Sequence, residues 1–266
     1  MEKIHRLSVS LLVSGLILSA PVIASEYRSE ISLSYAQNKA NSNLYSAKDR
    51  VYFSGANIYF TPVETQSHPL AEAAFLGEHS FVSLDYYKYN SKYRLGFENP
   101  VEVESKDSYS SIYTRIYVPN TPLVLGYGDS LSEDDVTGTY TIGLAPAEGL
   151  LLYTLYWRDD ETNSRPNLYA EYVQPLANTQ ALRINAGFTN APDDQSNVYE
   201  LSGDYYFNSR WSVGLAWSGQ GDYSSYGLSS RYFFAEQFSV SADYNYSKSS
   251  DDLSGRTLSA GVEVRF

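Results

Sequence analysis

Residues 253–266 read LSGRTLSAGVEVRF, and their alternation decides the fold class. With a period of two, Leu258, Ala260, Val262, Val264 and Phe266 share one face of a strand, and Thr257, Ser259, Gly261, Glu263 and Arg265 share the other. A strand of a water-soluble sheet can alternate in the same way. It has no reason to finish the chain on an aromatic residue behind apolar residues at every second position. The pattern recurs upstream. Phe238, Val240, Ala242 and Tyr244 oppose Ser239, Ser241 and Asp243, and Trp211, Val213, Leu215 and Trp217 oppose Ser212, Gly214 and Ala216. Leu182, Ile184 and Ala186 oppose Arg183, Asn185 and Gly187. Repetition of this kind through a whole chain is the signature of a transmembrane barrel.

The closing strand resembles the carboxy-terminal sorting signal of bacterial outer-membrane β-barrels. That resemblance implies Phe266 as the signal residue and the barrel-assembly machinery as a partner during biogenesis. At the other end, Lys3, His5 and Arg6 precede an apolar stretch from Leu7 to Leu18, with Pro21 and the small residues Val22 and Ala24 behind it. This predicts a cleaved signal peptide over residues 1–24 and one barrel domain over 25–266. The apolar stretch is shorter than the roughly 20 residues of a membrane helix.

Composition agrees. The chain has 26 Tyr, 11 Phe and 3 Trp, and Tyr and Trp settle where one end of the ring is wet and the other apolar. There is no Cys, so neither a disulfide framework nor a thiolate metal site can form. Loss of residues 1–24 removes Glu2, Lys3 and Arg6 and moves the net charge from −12 to −13, which argues against nucleic acid as a partner.

Fourteen strands are expected, near 27–36, 51–61, 80–89, 108–118, 121–129, 136–145, 149–158, 167–174, 180–189, 197–207, 210–218, 223–234, 237–247 and 254–266. An even number follows if both termini are periplasmic, which leaves 12 and 16 open as alternatives. Tight links such as Pro119-Asn120 and Asn208-Ser209 read as periplasmic turns. Acidic links, including Asp159-Asp160, Asp193-Asp194 and Asp251-Asp252, read as extracellular loops that contact lipopolysaccharide through divalent ions. Residues 91–105, with charges on both faces and Pro100 inside, read as extensions of their neighbours rather than another membrane hairpin.

One segment breaks the alternation. His68-Pro-Leu-Ala-Glu-Ala-Ala-Phe-Leu76 is apolar on successive residues and composed of helix formers, with a proline where a helix would start. It reads either as a short helix tucked into the periplasmic mouth or as an apolar connector. Together with Tyr59-Phe60-Thr61-Pro62-Val63 it resembles a stretch found in small porins of Gram-negative bacteria. The resemblance implies an outer-membrane channel and no particular substrate.

Catalytic machinery is not expected. Downstream of residue 24 the histidines are His68 and His79, and His79-Ser80 would point to opposite faces of a strand, where a nucleophile and its base must meet. No calcium-loop, zinc or phosphate-loop spacing occurs, and no cofactor is implied. What remains is the interior. The polar faces assign Arg28, Glu30, Asp85, Tyr87, Tyr113, Arg115, Arg183, Glu200, Asp204, Arg231 and Asp243 to the pore wall, with Glu171, Glu263 and Arg265 beside them. The expected function is a porin-like channel for passive diffusion of small hydrophilic solutes, mildly cation-preferring and surrounded by outer-membrane lipid. The alternatives are an occluded structural or adhesion barrel and a lipid-modifying enzyme.

Overall fold

Alternating side chains with turn formers between them produce fourteen antiparallel strands that close into a barrel. The computed structural model describes residues 26–42, 45–66, 68–95, 101–132, 136–158, 167–176, 179–190, 196–250 and 253–266. The expected signal peptide and the Asp159-Asp160, Asp193-Asp194 and Asp251-Asp252 tips lie outside these residues. The strands are β1 (Glu26–Asn41), β2 (Tyr45–Glu64), β3 (Phe81–Leu95), β4 (Val101–Tyr117), β5 (Leu123–Leu131), β6 (Val136–Ala147) and β7 (Leu150–Arg158). They continue with β8 (Asn167–Pro175), β9 (Ala181–Thr189), β10 (Val198–Asn208), β11 (Trp211–Gln220), β12 (Tyr223–Ala235), β13 (Phe238–Lys248) and β14 (Ser254–Arg265). Each pairs with its neighbours in sequence, and β14 pairs with β1 to close the ring.

All fourteen expected strands are present. β1 to β4 run further than the alternation predicts, because pairing between β3 and β4 continues up to Leu95 opposite Val101. Residues 91–95 and 101–105 are thus extensions of their neighbours, as their charges imply; 96–100 lie outside the described residues. Closure at the carboxy terminus is backbone work. Phe266 N donates to Ser29 O at 2.9 Å, and Phe266 O accepts from Arg28 N at 2.6 Å and Ser29 N at 3.1 Å.

The outer surface carries the apolar face. Leu33, Ile58, Leu84, Ile112, Ile142, Leu215, Leu228 and Leu258 are all exposed. Tyr35, Tyr52, Tyr127, Tyr140, Trp217 and Tyr226 lie on one side of this aliphatic band, and Phe60, Phe207, Trp211, Phe234 and Phe238 on the other. An apolar band between two aromatic girdles is what a bilayer requires of a barrel exterior. Leu215 is 68% exposed on β11 between Trp211 and Trp217, which puts it at mid-depth. Leu215→Arg is therefore expected to cost about 2–4 kcal/mol, and Leu131→Arg, at the far end of β5, about 0–1 kcal/mol. Equilibrium unfolding in lipid vesicles measures both, and equal costs would contradict this placement.

Between β2 and β3 the chain makes a 3-10 turn (Leu70–Glu72) and the single helical turn α1 (Ala73–Leu76). Of the two readings of this stretch, the tucked-in helix is the one observed. Leu70, Glu72, Ala73 and Leu76 are 3%, 1%, 1% and 5% exposed, so the segment is inside the barrel end that holds the termini. The barrel receives it with an apolar socket. Ala73 packs with Tyr27, Tyr59 and Val63, and Leu76 packs with Val173, Ala181 and Tyr206. Gly149, in the turn after β6, fits beside it with φ +73, where an added Cβ would meet Val173 O at 2.3 Å.

Candidate functional site

The interior has a floor and, above it, an asymmetric polar lumen. Two arginines tie the floor to the wall. Arg265 donates from Nη1 to Leu70 O at 2.7 Å, pairs through Nη2 with Glu30 at 2.9 Å and through Nε with Glu263 at 2.9 Å, and lies 4.6 Å from the ring centroids of both Tyr27 and Phe233. Tyr59 donates to the same Glu30 at 2.7 Å. Across the barrel, Arg183 pairs with Glu72 of the floor at 3.0 Å and with Glu171 of β8 at 3.1 Å, and the Tyr206 hydroxyl donates to Glu72. Burial pushes the Glu72 carboxyl up, while Arg183 and Tyr206 pull it down. Its second oxygen is buried with no hydrogen-bond partner among the described residues. The floor is therefore held by a few strong contacts at its two ends, with one polar atom left unsatisfied.

Above the floor the two sides of the lumen differ in bulk. On β2 to β4 the inward positions carry a stack of aromatic rings beside Gly55, Ser83, Asp85 and Arg115. Tyr87 stacks on Tyr109 at 4.5 Å, Phe53 lies 4.7 Å from Tyr87, and Tyr89 lies 5.9 Å from Tyr109. On β9 to β13 many inward positions are small, among them Gly187, Ser202, Gly214, Ala216, Gly227 and Ser241, between the charged Arg183, Glu200, Asp204, Arg231 and Asp243. The open volume follows the small side. A chamber of about 410 Å³ lies against β7 to β13, and a second of about 230 Å³ lies between it and the floor, bounded by Glu72, Arg183, Asp204, Arg231 and Asp243.

The structure places the expected wall residues as follows. Glu30, Asp85, Tyr87, Tyr113, Arg115, Arg183, Glu200, Asp204, Arg231 and Asp243 are on the inward face of their strands. Arg28 is not. Register between β1 and β2 shifts between Tyr27 and Ser29, and the extra residue turns Arg28 out to an exposed position while Tyr27, 4% exposed, takes the inward one. Asp85 accepts from Ser83 at 3.0 Å, Asp243 from Ser259 at 2.9 Å, and Asp204 from Ser229 at 3.5 Å. Arg231 lies 3.8 Å from Glu263. The Tyr113 hydroxyl is 3.0 Å from that of Thr141. Arg115 lies against the rings of Phe81 and Tyr153, at 5.8 and 5.4 Å.

Sequence reasoning missed the socket. Tyr27, Val63, Leu151, Val173, Tyr206 and Phe233 point inward although apolar or aromatic, against the rule that polar residues face the lumen. A signal for them exists in runs where alternation is lost at the floor end of a strand, such as Leu150-Leu151-Leu152, Tyr205-Tyr206-Phe207 and Tyr232-Phe233-Phe234. His79 lies just outside β3. Its Nδ1 is 2.8 Å from the Thr61 hydroxyl, its ring sits edge-on to Tyr59, and burial holds the imidazole below its ordinary value.

A closed fourteen-stranded barrel with an apolar exterior, two aromatic girdles and a charged interior has the architecture of a bacterial outer-membrane β-barrel. Residues 151–266 match the family described as "Putative general bacterial porin", in agreement with the porin resemblance seen in the sequence, although the match does not include residues 59–76. Among solved structures, the Acinetobacter baumannii outer membrane protein Omp33 aligns over 91% of this chain and 99% of its own, with 19% identity and a TM-score of 0.69. Pseudomonas putida OprB, in its low-pH structure, aligns over 89% of this chain and 92% of its own, with 9% identity and a TM-score of 0.50. No curated protein sequence matches the chain. At these identities the two structures speak for the fold alone.

Proposed function

We propose that this barrel is a porin-like channel that passes small hydrophilic solutes passively, prefers cations, and is narrowed at its periplasmic end by residues 68–79. The observation that carries the reading is the run of open chambers along the small-residue wall of β9 to β13. A barrel built only for stability would fill that wall with side chains, as it does on β2 to β4. The expected residues Glu30, Asp85, Tyr87, Tyr113, Arg115, Arg183, Glu200, Asp204, Arg231 and Asp243 then line the path or its margins. No reaction is assigned, and residues 1–24 act as a cleaved signal peptide.

The preference for cations follows from which charges are already paired. Arg265 is engaged by Glu30 and Glu263, and Arg183 by Glu72 and Glu171. Asp85, Asp204 and Asp243 accept from serine hydroxyls and make no ion pair among the described residues, and these three carboxylates outnumber Arg115, the inward arginine that makes none either. With Arg28 turned out of the lumen, the acidic excess exceeds what alternation alone implies. Fixed negative charge of this kind enriches the counter-ion. Planar-bilayer recording of the purified protein in a salt gradient tests both parts. Wild type should give a reversal potential on the cation side, and neutralising Asp85, Asp204 and Asp243 together should move it toward anions. Anion preference in wild type would overturn the charge assignment.

The apolar floor favours one other reading, a barrel that is permanently occluded and structural. No unitary current at any salt concentration, with or without the floor segment, would decide for it.

A further inference from the structure

One row of the sheet sets an unusual group of side chains side by side in the larger chamber. Register pairs Tyr153 with Tyr169, Tyr169 with Gly187, and Gly187 with Glu200. The two tyrosine rings stack at 5.2 Å and 20°. Gly187 lets ring and carboxylate close over its bare backbone, since a Cβ there would lie only 2.9 Å from Glu200 Oε2 and 3.0 Å from Tyr169 Cε1. A tyrosine ring and an anionic oxygen are thus brought side by side in the wall of the chamber. Glu200 makes no ion pair with the described residues. Arg183, the cation that borders the same chamber, is already engaged by Glu72 and Glu171.

We infer that the Glu200–Tyr169 pair is a binding site, on the wall of this chamber, for small organic primary ammonium ions, within the channel reading on which it rests. The ammonium group sits in the chamber against the Glu200 carboxylate and the Tyr169 ring, where charge and the electron-rich ring face both attract it. Its carbon chain lies along the Tyr153–Tyr169 stack, and a polar far end reaches Asn245 in the same chamber. Rings in place of further oxygens disfavour a bare metal ion, which would need some six to eight oxygen ligands in the case of calcium. Among the described residues that line the chamber the cation is Arg183, which is already paired and so does not favour a free anion. A chamber of about 410 Å³ suits a molecule of a few heavy atoms in a chain.

The test is saturation-transfer NMR on the folded, detergent-solubilised barrel, with 1,4-diaminobutane as probe and 1,4-butanediol as its uncharged counterpart. Wild type should bind the diamine and not the diol. Glu200→Gln should weaken diamine binding about tenfold or more, the scale of one charge-assisted hydrogen bond. Gly187→Ala should do the same by pushing the carboxylate and the ring apart, while leaving the barrel heat-modifiable. Asp243→Asn removes an equal charge elsewhere in the lumen and should change binding less than twofold. Equal losses in the Asp243 and Glu200 variants, or equal binding of diamine and diol, would overturn the site. Binding needs no current, so the two readings fail separately. A conducting barrel that does not bind the diamine rejects the site and keeps the channel, and a binding barrel that never conducts keeps the site and rejects the channel.

Discussion

Arg265→Met is expected to destabilise the barrel by about 3–5 kcal/mol, the usual cost of stranding a buried charge by removing its partner. Arg265 is 3% exposed and answers two carboxylates at once, so its loss leaves Glu30 and Glu263 facing each other in a space closed by Tyr27 and Phe233. It also releases the carbonyl of Leu70 and with it one end of the floor. Urea unfolding in lipid vesicles, followed by tryptophan fluorescence, measures the cost. Arg265→Lys should recover part of it, because an ammonium can answer one carboxylate but cannot fork across two while lying against the rings. A loss below about 1 kcal/mol for the Met variant would show that the network contributes little.

Replacing Leu70–Leu76 with a Gly/Ser segment of equal length should raise unitary conductance several-fold. The replaced residues fill the end of the lumen where β1 begins and β14 ends, and a Gly/Ser chain has neither the apolar side chains that the socket of Tyr27, Val63, Val173 and Tyr206 receives nor the carboxylate that Arg183 grips. Such a chain behaves as a flexible coil and has no reason to stay in place. The same change exposes the socket to water, so a drop in thermal stability should accompany the gain in current. Single-channel recording and heat-modifiability read the two effects on one preparation. Unchanged conductance in a folded variant would mean that the narrowest point lies higher, among the stacked rings of Phe53, Tyr87 and Tyr109.

What the sequence by itself determined is everything that depends on a period of two. The faces of β9 to β14, the lipid-facing band and the inward place of Arg183, Glu200 and Asp243 follow from alternation, whereas the choice of fourteen strands over 12 or 16 needed the closed ring. In a barrel each strand has lipid on one side and lumen on the other, and every residue must choose between them. The tertiary structure alone decided whatever breaks that period. A bulge after Tyr27 turned Arg28 out of the lumen, because one extra residue reverses the face of everything before it. The socket residues are apolar yet inward, since the solvent at their level is the segment from Leu70 to Leu76 rather than water. Which charges neutralise each other was equally invisible in one dimension. Arg183 and Glu72 are 111 residues apart and Arg265 is 195 from Leu70, and only the closing of the ring brings them within hydrogen-bond reach.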